Sequence, residues 1–106
     1  MGGQPRPRHS IALVARLARE GRVVTTARVA HWLMNHGYDV VETVGEVLSS
    51  LPTCGDYRGS CTLMNGAEAD EYVVVLPDCE WYLKFWVDDE QLVVDVWSCC
   101  WDGAVH

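Results

Sequence analysis

Apolar positions recur at helical spacing in the first half of this chain and at period two in the second. Ile11, Val14, Leu17 and Ala18 fall on one side of a helix that Ser10 can cap and that ends near Glu20, with Gly21 as the stop. Thr25 or Thr26 can cap a second helix, whose apolar stripe is Val29, Trp32, Leu33 and His36 and whose stop is Gly37. A short third helix begins at Thr43, turns Val44, Val47, Leu48 and Leu51 inward, and ends at Pro52. Residues 52–70 mix Pro, Cys, Gly, Asp, Ser and Asn without a period and read as a long loop, of the kind that is often functional in a small domain. Residues 1–9, with two prolines and two glycines, read as a flexible basic arm.

The second half is strand-like. Tyr72–Leu76 is a continuous apolar run, and Glu80–Val87 and Leu92–Ser98 alternate. In the first alternating run, Trp81, Leu83, Phe85 and Val87 share one face, and Tyr82, Lys84 and Trp86 share the other. A turn over Asp88–Gln91 would set Val87 against Leu92, Phe85 against Val94 and Leu83 against Val96. A one-residue slip would send every apolar side chain to the wrong face, so the pattern fixes the parity of the pairing. This register places Lys84 opposite Asp95 and Tyr82 opposite Trp97. Two readings follow: an ion pair beside an aromatic pair on an outer sheet face, or a Tyr/Lys platform that meets a substrate. The expected fold class is α+β, with N-terminal helices packed on an antiparallel β-sheet meander in a single domain spanning residues 1–106.

Charge divides the chain unevenly. Residues 1–28 hold six of its eight basic residues (Arg6, Arg8, Arg16, Arg19, Arg22 and Arg28) and one acid, Glu20. The remainder sets only Arg58 and Lys84 against fourteen acids. A net charge of −7 argues against general binding to nucleic-acid phosphates, which needs clustered cations. Lys84 has Asp95 as an expected neutraliser, whereas Arg58 has only Asp56 close in sequence. The five cysteines (Cys54, Cys61, Cys79, Cys99 and Cys100) show no CxxC spacing, and no Cys/His pair has ligand spacing. They are expected to be reduced thiols, with no metal and no cofactor. No apolar run approaches the ~20 residues of a membrane span, and the expected location is cytoplasmic.

Several segments, in order and spacing, resemble the MqsR family of bacterial toxins. They are Arg6–Ser10 leading into a helix, Glu20-Gly21-Arg22-Val23-Val24-Thr25-Thr26, Asp56-Tyr57-Arg58-Gly59-Ser60, Trp81-Tyr82-Leu83-Lys84-Phe85 and Leu92-Val93-Val94-Asp95-Val96. Such toxins are RelE-like endoribonucleases that cut messenger RNA and are neutralised by a cognate antitoxin protein. The resemblance implies a RelE/MqsR-like fold. It matches Arg58 to the family's loop lysine and Tyr82 to its strand tyrosine, both implicated in cleavage. The family's catalytic glutamine falls between positions 66 and 74, where this chain has Glu71 or Tyr72, and its terminal lysine is replaced by Trp97-Ser98-Cys99-Cys100.

On this reading Arg58, Tyr82 and Lys84 are the catalytic candidates. Arg58 can clamp a phosphate in bidentate fashion, and Tyr82 can shuttle a proton. Arg16, Arg19, Arg22 and Arg28 would guide RNA, and Trp97 would stack a base. The alternative is a non-catalytic acidic binding protein on the same scaffold, engaging a basic protein partner through Asp88-Asp89-Glu90 and through Glu68, Asp70 and Glu71.

Overall fold

The computed structural model describes residues 6–104. Three helices precede the main sheet: α1 (Ile11–Arg19), α2 (Ala27–Asn35) and α3 (Val40–Ser49). Each starts where a short polar side chain can satisfy a free amide. Ser10 Oγ accepts from Leu13 N at 3.3 Å, Thr26 Oγ1 from Val29 N at 3.3 Å, and Asp39 Oδ1 from Glu42 N at 2.9 Å. The third helix therefore begins three residues before the expected Thr43. Its signal was Asp39 followed by Glu42, an acid at the cap and another in the first turn. Pro52 does not end this helix. It lies in the first turn of a separate four-residue helix, α4 (Leu51–Cys54).

The expected loop over residues 52–70 is instead α4, a strand β2 (Gly55–Thr62), a short turn and the start of β3 (Glu68–Val75). With β4 (Glu80–Asp88) and β5 (Val93–Trp101) these strands form a four-stranded antiparallel meander. A three-residue strand, β1 (Val23–Thr25), adds to β5 in parallel, giving a mixed sheet in the order β1-β5-β4-β3-β2. The fold is α+β.

Helices cover one sheet face. Val14 and Leu17 of α1, Val29 and Leu33 of α2, and Val44, Val47 and Leu48 of α3 share one buried core with Trp81, Leu83, Phe85, Val87, Val94 and Val96. The expected inward face of β4 is thus the buried one. The register differs from expectation by two residues as far as Phe85, and by three beyond the irregularity between Lys84 and Phe85, where Lys84 faces Ser98. Asp88 faces Val93, Trp86 faces Asp95 and Phe85 faces Val96. The cause is Leu92, which sits in the turn at φ 54° and does not open the strand. A shift of two preserves which residues face the core, but it separates Lys84 from Asp95. That carboxylate accepts instead from the Trp86 indole, Nε1 to Oδ2, at 3.1 Å.

Residues 6–9, expected as part of a flexible arm, are held at several points; residues 1–5 lie outside the described residues. Asp70, wholly buried, accepts from Arg8 N at 2.9 Å, His9 N at 2.8 Å and Ser60 Oγ at 2.6 Å. Tyr57 Oη donates to the Arg6 carbonyl at 3.1 Å, and Arg8 Nε pairs with Glu68 Oε2 at 2.9 Å.

Candidate functional site

The sheet face away from the helices carries Tyr82, Lys84 and Trp86 on β4, all half-buried. Two β-bulges shape this face. In β2, Tyr57 pairs with Tyr72 and Gly59 with Glu71, so Arg58 is an extra residue without a partner. In β5, Val96 pairs with Phe85 and Ser98 with Lys84, so Trp97 is extra. Glu71 and Lys84 pair with each other across β3 and β4. One row therefore crosses the sheet, from the Arg58 bulge through Glu71 and Lys84 to the Trp97 bulge. Bulges re-aim side chains and are over-represented beside active sites.

Tyr82 lies one pleat away on the same face and donates its phenol hydrogen to Glu71 Oε1 at 2.6 Å. Burial, followed by this hydrogen bond and the charge of Glu71, pushes the phenol well above its ordinary value of 10.0, so it stays protonated. Lys84 stands next to Glu71 in register, yet no ion pair engages it among the described residues. Arg58 is exposed and pairs with Asp56 Oδ2 at 3.1 Å. An exposed pair of this kind contributes between about 0 and 1 kcal/mol, which leaves the guanidinium available. The sequence-predicted Arg58, Lys84 and Trp97 thus lie along one row across four strands, with Tyr82 beside it. Glu71 joins them, and Tyr72 does not, because its ring is buried and stacks on Phe85 at 5.9 Å.

The basic residues expected to guide RNA are dispersed. Arg16 and Arg19 project from α1 in the helical layer, on the other side of the sheet, and Arg16 lies 4.0 Å from Glu20. Arg22 is engaged with the β4–β5 turn, donating Nε to the Leu92 carbonyl at 2.7 Å and Nη2 to the Gln91 carbonyl at 2.9 Å. It braces the turn that holds Leu92 at positive φ. Arg28 alone of the four reaches the candidate face. With Thr26, Trp97 and Met64 it lines a cleft of about 240 Å³. Met64, in the β2–β3 turn, borders the cleft and is exposed. Trp97 Nε1 is buried there with no acceptor among the described residues, a deficit of about 1–3 kcal/mol for an unmet donor.

The acidic groups expected to meet a basic partner are mostly engaged internally. Asp70 is buried beneath the arm, Glu68 pairs with Arg8, and Glu71 holds Tyr82. Asp88 Oδ1 accepts from Glu90 N at 3.0 Å and Gln91 N at 3.3 Å. A different acidic site stands on the helical side, which sequence pattern did not single out. Asp39, Glu42, Glu46 and Asp78 line a cavity of about 270 Å³ with Tyr38 and Trp81, and no ion pair engages these carboxylates among the described residues.

All five cysteines are free thiols, with Cys99 and Cys100 buried. Among the described residues, no three His, Cys, Asp or Glu side chains are grouped to hold a metal ion, and no helix is long and apolar enough to cross a membrane. The chain matches no protein-family model, no curated protein and no solved structure.

Proposed function

We propose that the bulge-flanked row is the active site of an endoribonuclease of the RelE/MqsR-like toxin type, acting on messenger RNA and neutralised by a cognate antitoxin. The observation that carries this reading is the Tyr82–Glu71 hydrogen bond of 2.6 Å, lying between the Arg58 and Trp97 bulges and beside Lys84, which has no ion pair among the described residues. RNA carries its own nucleophile, the 2′-hydroxyl, so a protein need only move two protons and face the phosphate with cations.

Glu71 takes the 2′-hydroxyl proton as the oxygen attacks phosphorus. Lys84 and Arg58 face the phosphoryl oxygens as charge builds on them. The P–O5′ bond breaks, and Tyr82 protonates the departing oxygen. The products are a 2′,3′-cyclic phosphate and a 5′-hydroxyl. Glu71 then holds an extra proton and Tyr82 lacks one, and their hydrogen bond is the path by which the proton returns. Arg58 serves only as a clamp, because a guanidinium stays charged.

In single-turnover cleavage of labelled RNA, Tyr82→Phe, Glu71→Gln and Lys84→Ala should each slow the reaction by about 10²–10⁴-fold. Arg58→Ala should act mainly through substrate binding. Variants that cut RNA at the parent rate while folding normally would remove the assignment.

A second reading, a non-catalytic binding protein for a basic partner, is favoured by the acidic cavity on the helical side. Its carboxylates and aromatic walls suit a Lys or Arg side chain, through charge and cation–π attraction. It predicts salt-sensitive binding of a lysine-rich peptide that Glu42→Gln with Glu46→Gln abolishes. Equal binding by that double variant would remove it.

A further inference from the structure

The cleft beside Trp97 takes no part in the proton transfers above, yet it adjoins them. The β5 bulge sets Trp97 and Ser98 together against Lys84, so the indole is carried on the backbone next to the cation assigned to the phosphate. We propose that this cleft is a nucleobase pocket, which seats one unpaired base of single-stranded RNA beside the phosphate facing Lys84. The inference rests on the RNA reading of the row and adds to it a substrate class and a position-specific contact.

Three features of the cleft suit a base. The indole offers a flat, half-buried platform, and every base has a face that stacks on one. Arg28 is exposed on the first turn of α2 without an ion pair among the described residues, and its guanidinium can lie over a base or donate to its edge. Trp97 Nε1 has no acceptor among the described residues. A sugar or phosphate oxygen next to the stacked base, lying in the plane of the indole, would supply one. A base inside a duplex already has both faces stacked on its neighbours, so the pocket selects single strands over duplex.

Affinity is measured by fluorescence anisotropy with a labelled single-stranded oligoribonucleotide carrying 2′-fluoro groups, which cannot be cleaved, and with copies abasic at each position in turn. One position should show a loss of roughly 5- to 150-fold, the range for one stacked base. Trp97→Ala should lose as much on the intact strand and show no further loss on the abasic copy. Trp97→Phe should retain most of the stacking. Arg28→Gln alters an exposed side chain, and it should shrink the same position's penalty even if Trp97→Ala fails to fold. A penalty spread evenly over all positions, or one that persists in these variants, would overturn the pocket. Absence of binding would overturn it as well. Cleavage of unmodified RNA, measured in parallel, then separates the two claims: cleavage without a base-position penalty removes the pocket and leaves the nuclease, and a base-position penalty with intact RNA leaves the pocket and removes the nuclease.

Discussion

Asp70 is buried in the inner sheet face, and its carboxylate takes three short hydrogen bonds, two from the backbone of the N-terminal arm. A buried charge persists only where donors surround it. Asp70→Ala leaves Arg8 N, His9 N and Ser60 Oγ without that acceptor. The expected cost is about 3 kcal/mol, given about 1–3 kcal/mol for each unmet buried donor and partial rescue by water. Urea denaturation should show this as a lower midpoint, together with faster protease cleavage near Arg8. An unchanged midpoint would mean that the arm is not anchored there. At this scale Arg58, Tyr82, Lys84 and Trp97 could be picked out in the sequence, because cations and aromatics on an outer strand face stand out from an apolar pattern. Asp70 could not, since a carboxylate in an acidic stretch reads as solvated until its donors, about sixty residues away, are in place.

The helices α1 and α2 were legible because each joins an apolar stripe to a short polar cap; α3 showed its stripe but its cap, Asp39, was missed, and α4 lay within the expected loop. The strand β2 was not legible. Its sequence, Gly-Asp-Tyr-Arg-Gly-Ser-Cys-Thr, has almost no apolar alternation, since it is an edge strand with a bulge at Arg58. The Trp97 bulge was hidden for another reason: Val96, Ser98, Cys99 and Cys100 are all buried, so the burial period that would expose an extra residue is absent. The row that joins Arg58, Glu71, Lys84 and Trp97 depends on both bulges, so its members were visible singly and their adjacency was not. The connection from α4 into β2 is also tight. A Cβ at Gly55 would meet the Leu51 carbonyl oxygen at 2.7 Å and Leu51 Cδ2 at 2.9 Å. Gly55→Ala should therefore cost about 1–3 kcal/mol, the range for overpacking, read as a lower thermal midpoint. Because β2 carries Arg58, RNA affinity should fall with it. Wild-type stability in this variant would show that the turn has slack.

For the whole molecule, the helical layer and the outer sheet face divide the work. The helices bury the core on one side, and the opposite face presents the bulge-flanked row. The net charge of −7 opposes an approaching phosphate chain, so in the proposed reaction Lys84, Arg58 and Arg28 act locally. Stability should also depend on pH through buried neutral acids. Burial, then the neighbouring Cys100 and Cys79, pushes the Cys99 thiol from 9.0 to about 12. Burial, then Asp102, pushes Cys100 from 9.0 to about 11. Burial, then the charge of Asp70, lifts Tyr72 from 10.0 to about 12, and Tyr82 moves in the same direction. Each of these acids keeps its proton in the folded chain at a pH where the unfolded chain has begun to lose it. Their contribution is complete below pH 9.0 and falls as pH rises through about 11 and about 12. Urea midpoints should fall through that window, and fall less in Cys100→Ser. A flat profile would mean that these groups ionise freely in the fold.

The proposed cleavage of RNA through the 2′-hydroxyl leaves its mark on the products. Purified protein at stoichiometric concentration is incubated with end-labelled single-stranded RNA and with an all-deoxy copy, and the fragments are weighed by mass spectrometry. RNA fragments should end in a 2′,3′-cyclic phosphate, the deoxy strand should stay intact, and Lys84→Ala should yield no fragments over the same time. Intact RNA after long incubation, or cleavage of the deoxy copy, would contradict the proposed cleavage.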